Sequence, residues 1–311
     1  MRKFLALGLT ALAAVAGSVT ARAETLTLGA IYPAGNANVA PVSTITVEPF
    51  GGTDGAALSI MVEDRLRDVT VKGDPWFEVL PASLTTDADA VLRGSVATQV
   101  WREEADEQQR EVCVERDEDR KCIRREERYV PCWDRIVSVQ PTVRLIAYDG
   151  TLLHAEDTDA RRSRRYCRTD RNPDEEAMVN EGLTEIAGRL RRDLAPTHVN
   201  ESIRILESRK GMSKDDRNAF KDAIRLTKSD QPAACEAFVA LEPTIGEHES
   251  LLFNIGLCNE RYNRWDTAES YYQRALRVDG SNSAASSGLY RLRQYRIAQQ
   301  QLEAHYAADT E

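Results

Sequence analysis

The sequence predicts an α/β (or α+β) sheet domain with helices on one face, followed by an all-α array of helical repeats. Three observations carry that expectation. Runs that alternate apolar and polar residues, punctuated by Gly and Asp-Gly, crowd into residues 41–198. Two segments with apolar residues at helical spacing lie among them. Beyond residue 213 the alternation stops, and apolar residues recur only at the helical period.

The elements follow in order. Met1-Arg2-Lys3 is basic, residues 4–17 are apolar apart from Thr10, and Ala21-Arg22-Ala23 places small residues where a signal peptidase cuts. That apolar run is too short for a stable bilayer anchor. The mature chain is therefore expected to begin near Glu24 in an oxidising compartment, with 24–40 as a linker. Residues 43–49 alternate as a half-buried strand, and Gly51, Gly52 and Gly55 make the turn after it. Over 56–69, Ala57, Leu58, Met61, Val62 and Leu66 form a helical stripe. Residues 76–80 are a second strand stopped by Pro81, and 90–101 a third. Residues 136–148 alternate again and return over 151–155 through Asp149-Gly150, a two-residue hairpin signal. Ala177, Met178, Leu183, Ile186, Ala187 and Leu190 mark a helix over 175–194, ended before Pro196. Residues 199–212 are a connector or a last strand, and a short helix is the alternative around Ile203 and Ile205.

Residues 102–132 interrupt the sheet pattern with a dense run of mixed charge. It reads as a solvated hairpin beyond the sheet edge, where charge blocks strand-to-strand aggregation. A docking arm for a partner is the sharper reading. Arg161-Arg162-Ser163-Arg164-Arg165 is the one strongly basic cluster. It reads as a solvated face, with anionic lipid or glycan contact as the alternative.

All six cysteines lie beyond the signal: Cys113, Cys122, Cys132, Cys167, Cys235 and Cys258. An even count in an exported chain points to disulfides; free or metal-bound thiols are the alternative. There is no CxxC and the four histidines are scattered, so no zinc site is expected. Cys113 and Cys122 flank a polar turn suited to a small hairpin. A two-residue turn at Asp149-Gly150 pairs Tyr148 with Thr151, and counting outward puts Cys132 opposite Cys167. Pro141 interrupts that ladder, and a bulge would shift its register.

From 213 to 311, helix pairs are expected at 214–226 with 232–241 and within 251–279, then a capping helix over 283–305. Ala234 and Phe238 precede Ala268 and Tyr272 by a period of about 34 residues. Cys235 and Cys258 fall on helices that pack together in such an array. One helix pair cannot bury its apolar face alone, so neighbours must complete the core.

Two resemblances follow from these residues. Ile45-Thr46-Val47-Glu48-Pro49-Phe50 with its helix, Trp76-Phe77-Glu78-Val79, the segment from Ala88 to Gly94, and the hairpin strand from Val143 to Gly150 resemble, in that order, the CsgG/LpoB/TolB N-terminal domain group. That resemblance covers roughly 43–195 and implies a periplasmic α/β module that contacts cell-envelope proteins, without catalysis. Ile255-Gly256, Ala268, Tyr272 and Ala275 resemble a tetratricopeptide repeat, with Asn259 and Gly280 departing from its pattern. Such repeats imply a groove for peptide segments, with Phe253, Leu257, Glu260 and Arg261 expected to line it; a purely structural spacer is the alternative.

The function expected is a non-catalytic exported adaptor, periplasmic or peripheral to the outer membrane, that binds a cell-envelope protein or peptide segment. A secretion or outer-membrane pore component is the alternative; the 102–128 run is too charged for a lipid-facing strand. An enzyme is the further alternative, without a Gly-x-Ser-x-Gly elbow, phosphate loop or HExxH helix. No catalytic residue, metal or cofactor is expected. The formal net charge of −9 disfavours nucleic acid as a partner, and no span of the mature chain reaches membrane length.

Overall fold

The computed structural model describes residues 24–308; the expected signal segment lies outside them. The chain divides into two compact units, residues 29–201 with 287–308 and residues 24–28 with 202–286.

The larger unit is a sheet with helices, as the alternation demands. Strand β1 (Thr25–Tyr32) begins in the other unit and ends here. Residues 24–40, expected as a linker, thus carry eight residues of strand. Thr-Leu-Thr-Leu alternates, and Leu26 and Leu28 are buried. β2 (Thr44–Val47) leads through the Gly51–Gly55 turn into α1 (Gly55–Arg67). Gly52 sits at φ +87, and a Cβ there would meet the Val96 carbonyl at 1.9 Å, so only glycine fits. A small hairpin of β3 (Thr70–Val71) and β4 (Asp74–Pro75) precedes β5 (Glu78–Leu80). Then come β6 (Ala90–Arg116), β7 (Cys122–Ala147), β8 (Leu152–Glu156), β9 (Ala160–Cys167) and α2 (Glu175–Leu194). The main sheet runs β5-β2-β6-β7-β8, with β9 also paired to β7. β2 is parallel to β5 and β6; the other pairs are antiparallel. α1 and α2 pack on each other and on the sheet. Leu58, Val62, Leu66, Leu183, Ile186 and Leu190 from the helices meet Ile45, Leu92, Val137, Val139 and Leu145 from the strands in one core.

The hairpin register follows the count made from Asp149-Gly150, although the turn differs. Ala147 N–H donates to the Thr151 carbonyl at 2.8 Å, so the loop holds three residues, one more than expected. A bulge compensates: Ile146 faces Leu152 and Leu145 faces His154, leaving Leu153 as the extra residue. From there the expected pairs hold, down to Cys132 opposite Cys167. β8 gives way to β9 near Pro141, where the ladder was expected to break.

Residues 287–308 complete this unit. They belong to α8 (Ser283–Ala308), the helix expected to cap the repeats. The His305 ring stacks on Trp76 with centroids 3.7 Å apart, and its Nδ1 donates to the Ala40 carbonyl at 2.9 Å. Gln301 brackets the Ala34 main chain, accepting at 2.8 Å and donating at 3.0 Å.

The smaller unit is mostly helical. β10 (Thr197–Arg204) pairs with β1 and crosses into it, so the segment left open between strand and helix is strand up to Arg204 and irregular beyond it. Then follow α3 (Lys214–Leu226), α4 (Gln231–Ala240), the single turn α5 (Glu242–Ile245), α6 (Glu249–Arg261) and α7 (Trp265–Val278). Ser213 caps α3 and Asp230 caps α4 by accepting main-chain N–H bonds. Ala234, Phe238, Ala268 and Tyr272 are all fully buried. A Cβ on Gly256 would lie 2.8 Å from the Tyr272 ring, so glycine sets how closely α6 and α7 approach.

Candidate functional site

The charged run of 102–132 is the outer part of a two-stranded ribbon. β6 and β7 are 27 and 26 residues long, against a usual strand of about 5–6. Their pairing continues from Ala90↔Ala147 to Arg116↔Cys122, with register shifts near Ala105 and Cys113. At a rise of about 3.3 Å per residue, the part beyond Trp101 extends for roughly 50 Å. A lone hairpin of that length is marginal in water, and this one is pinned. Cys113–Cys122 closes it near the tip, where Asp117 accepts from the Lys121 N–H at 2.7 Å. Cys132–Cys167 ties its base to β9. Val130 packs on that second disulfide with Ala105 and Val112 beside it, a small apolar cluster of the ribbon's own.

Side chains along the ribbon alternate charge and ring. Arg102 lies over Trp133 at 5.5 Å, Arg135 over Tyr166 at 5.9 Å, and Arg161 over Trp101 at 5.3 Å. Further out, Arg110 faces Arg128 and Glu111 faces Glu127, like charges directly opposed. Neighbours relieve this: Glu126 takes Arg128 at 2.8 Å and Arg124 at 2.7 Å, and Arg125 reaches Glu111 at 3.4 Å. The bond from Arg128 holds the Glu126 carboxyl below its ordinary range, and the bond from Arg165 does the same for Asp134. These carboxylates are kept charged, the reverse of what a proton donor at neutral pH needs. Ile123 and Tyr129 of the ribbon stand 60% and 69% exposed.

The four residues expected to line a groove in the helical unit lie elsewhere. Phe253 and Leu257 are fully buried and build the packing of α6. Glu260 is 3% exposed and accepts from the Tyr272 hydroxyl. Arg261 donates to the Thr27 carbonyl. Further main-chain contacts in this unit come from residues the sequence did not flag. Asn254 accepts from Leu206 N–H at 2.9 Å and donates to its carbonyl at 2.9 Å. Gln231 accepts from Thr27 N–H at 3.2 Å and donates to the Thr25 carbonyl at 3.3 Å. The helices therefore hold the unit's own extended segments. An amide inside an otherwise apolar α6 run was the available signal. Cys235–Cys258 joins α4 to α6 beside an open cleft of about 460 Å³ lined in part by Val239, Tyr262 and Arg264.

Two half-buried polar sites lie in the sheet unit. Burial and the Glu201 carboxylate push the Tyr32 hydroxyl up to about 12. His154 lies 3.7 Å from Asp193, whose carboxyl burial raises. Among the described residues no group of His, Cys, Asp and Glu is arranged to hold a metal, and no helix is long and apolar enough to cross a membrane.

No protein family and no curated protein matches the chain. Among solved structures it is similar to two PelC dodecamers from Paraburkholderia phytofirmans, one of them a point variant. The variant is 16% identical over 55% of this chain and 98% of its own, with a TM-score of 0.25. The other is 13% identical over 53% and 97%, with a TM-score of 0.22. A likeness this slight bears on neither fold nor function.

Proposed function

We propose that the chain is an exported, non-catalytic adaptor of the cell envelope. The signal-like start and three disulfides suit an oxidising compartment. On this reading the sheet unit is a CsgG/LpoB/TolB-like module, and α3, α4, α6 and α7 are tetratricopeptide-like helix pairs. The partner is a cell-envelope protein or peptide segment.

The observation that carries the reading is the ribbon. Its strands are stapled at tip and base, arginines hold Glu126 and Asp134 ionised, and it keeps Ile123 and Tyr129 exposed. A device of that kind grips; it offers no enclosed place for a reaction. The test is photocrosslinking in cells, with the reactive residue at Ile123 or Tyr129 and a control at Asp215 on α3. A discrete adduct to one envelope protein from both ribbon positions, absent from the control, is expected. Ribbon positions that label nothing, or only what the control labels, would overturn the proposal.

A further inference from the structure

Beyond Val96, β6 pairs only with β7 among the described residues, and β9 likewise pairs only with β7. The three strands form one stretch of sheet with two open edges, in rows such as Glu103↔Asp134↔Arg165. One open edge ends in Glu103-Glu104-Ala105, and Asp106-Glu107 follow it at the register shift before Gln108. The other reads Arg161-Arg162-Ser163-Arg164-Arg165. Each is two charges, a small residue and two charges, with the sign inverted.

The main chain of the acidic edge is also presented. The Leu92 and Gly94 carbonyls and the Val96 N–H bond outward, to Glu48 and Gly51. The alternation carries outward-pointing groups on to Thr98, Val100 and Arg102, where no strand receives them. On the basic edge, Arg162 and Arg164 are committed to Glu181 and Glu185 of α2. Arg161 and Arg165 lie on the other face; Arg165 is in the register of Glu103 and Arg161 in that of Gln99. Their side chains stay 55% and 46% exposed despite contacts to Glu103 and Asp134. Ion pairs that open to water are weak and exchange readily.

We propose that the β9 edge of one copy pairs with the β6 edge of a second copy, head to tail. Charge on an edge strand normally forbids strand addition, because an approaching copy meets its own sign. Here that holds for acid on acid and base on base, and the mixed approach alone is attractive. The interface is heterologous, so each copy uses two different edges.

Light scattering on the purified chain tests this, at ~0.05 M salt and at ~1 M, where the Debye length falls to about 3 Å. The wild type is expected to show at least about twice the monomer mass at low salt and to dissociate at high salt. A triple variant, E104K/D106K/E107K, carries two basic edges; a double variant, R161E/R165E, carries two acidic ones. Each alone is expected to be monomeric with the wild-type circular dichroism spectrum, and an equimolar mixture to recover the assembled mass. A monomeric wild type at low salt would overturn the proposal. So would folded variants that still assemble alone, or monomeric variants whose mixture stays monomeric.

Discussion

Replacing Cys235 and Cys258 with Ala removes the bridge between α4 and α6 without adding a polar group to the packing. The two cysteines are 23 residues apart. In the chain-entropy treatment, closing a loop of that size restricts the unfolded chain by about 3 kcal/mol. Both side chains are 3% exposed, so the loss of their contacts adds to that figure rather than offsetting it. For a unit of this size such a loss corresponds to roughly 10–20 °C in Tm. Because the chain has two units, the whole-protein transition is a poor readout. Hydrogen exchange is the better assay, read on α4, α6 and α7. Amides there are expected to exchange about a hundredfold faster in the variant, while those of α1 and α2 keep their rates. Protection in α4 and α6 within about 1 kcal/mol of wild type would refute the loop-entropy reasoning.

Two further outcomes follow from the same contacts. Asn254→Ala leaves the Leu206 N–H and carbonyl without their partner, so the helical unit is expected to lose about 1–3 kcal/mol in denaturant melts, and Asn254→Asp to restore only the bond from Leu206 N–H. Asp89 gives a pH effect: burial pushes its carboxyl up, but bonds from Thr44 and Ser43 outweigh this and hold it below the ordinary value. Its stabilising share is present above the unfolded value near 4 and is lost as pH falls through the lower folded value; Asp89→Ala is therefore expected to cost about 1–2 kcal/mol at neutral pH and to flatten the acid limb of a Tm-against-pH curve.

Much of the fold was legible because single signals were strong. α2 and α3 have capping residues and clean apolar stripes, and their bounds are those expected, 175–194 and 214–226. Counting from Asp149-Gly150 placed Cys132 opposite Cys167 even though the turn is a residue longer, because Leu153 absorbs the difference. The ribbon was harder to see. Strand recognition rests on apolar alternation, and from 102 to 129 there is almost none; cross-strand hydrogen bonds, disulfides and ion pairs hold it instead. Thr25-Leu26-Thr27-Leu28 of β1 alternates over only four residues, too few to distinguish a strand from a linker. The groove residues failed for another reason. Phe253 and Leu257 share the sequence character of a binding surface and of a core, and only the tertiary packing separates the two. Asn254 and Gln231, which grip main chain, carry no apolar signature at all.

On the proposed reading the molecule is processed and fully oxidised, and its three disulfides hold a scaffold that binds a partner. The most direct measurement is intact mass spectrometry, under non-reducing conditions, of the protein recovered from its native cells. The account predicts a chain beginning at Glu24 and lighter by six hydrogens than its reduced form, one pair for each of the three disulfides. A chain that keeps Met1 to Ala23, or one whose mass is unchanged by reduction, contradicts it.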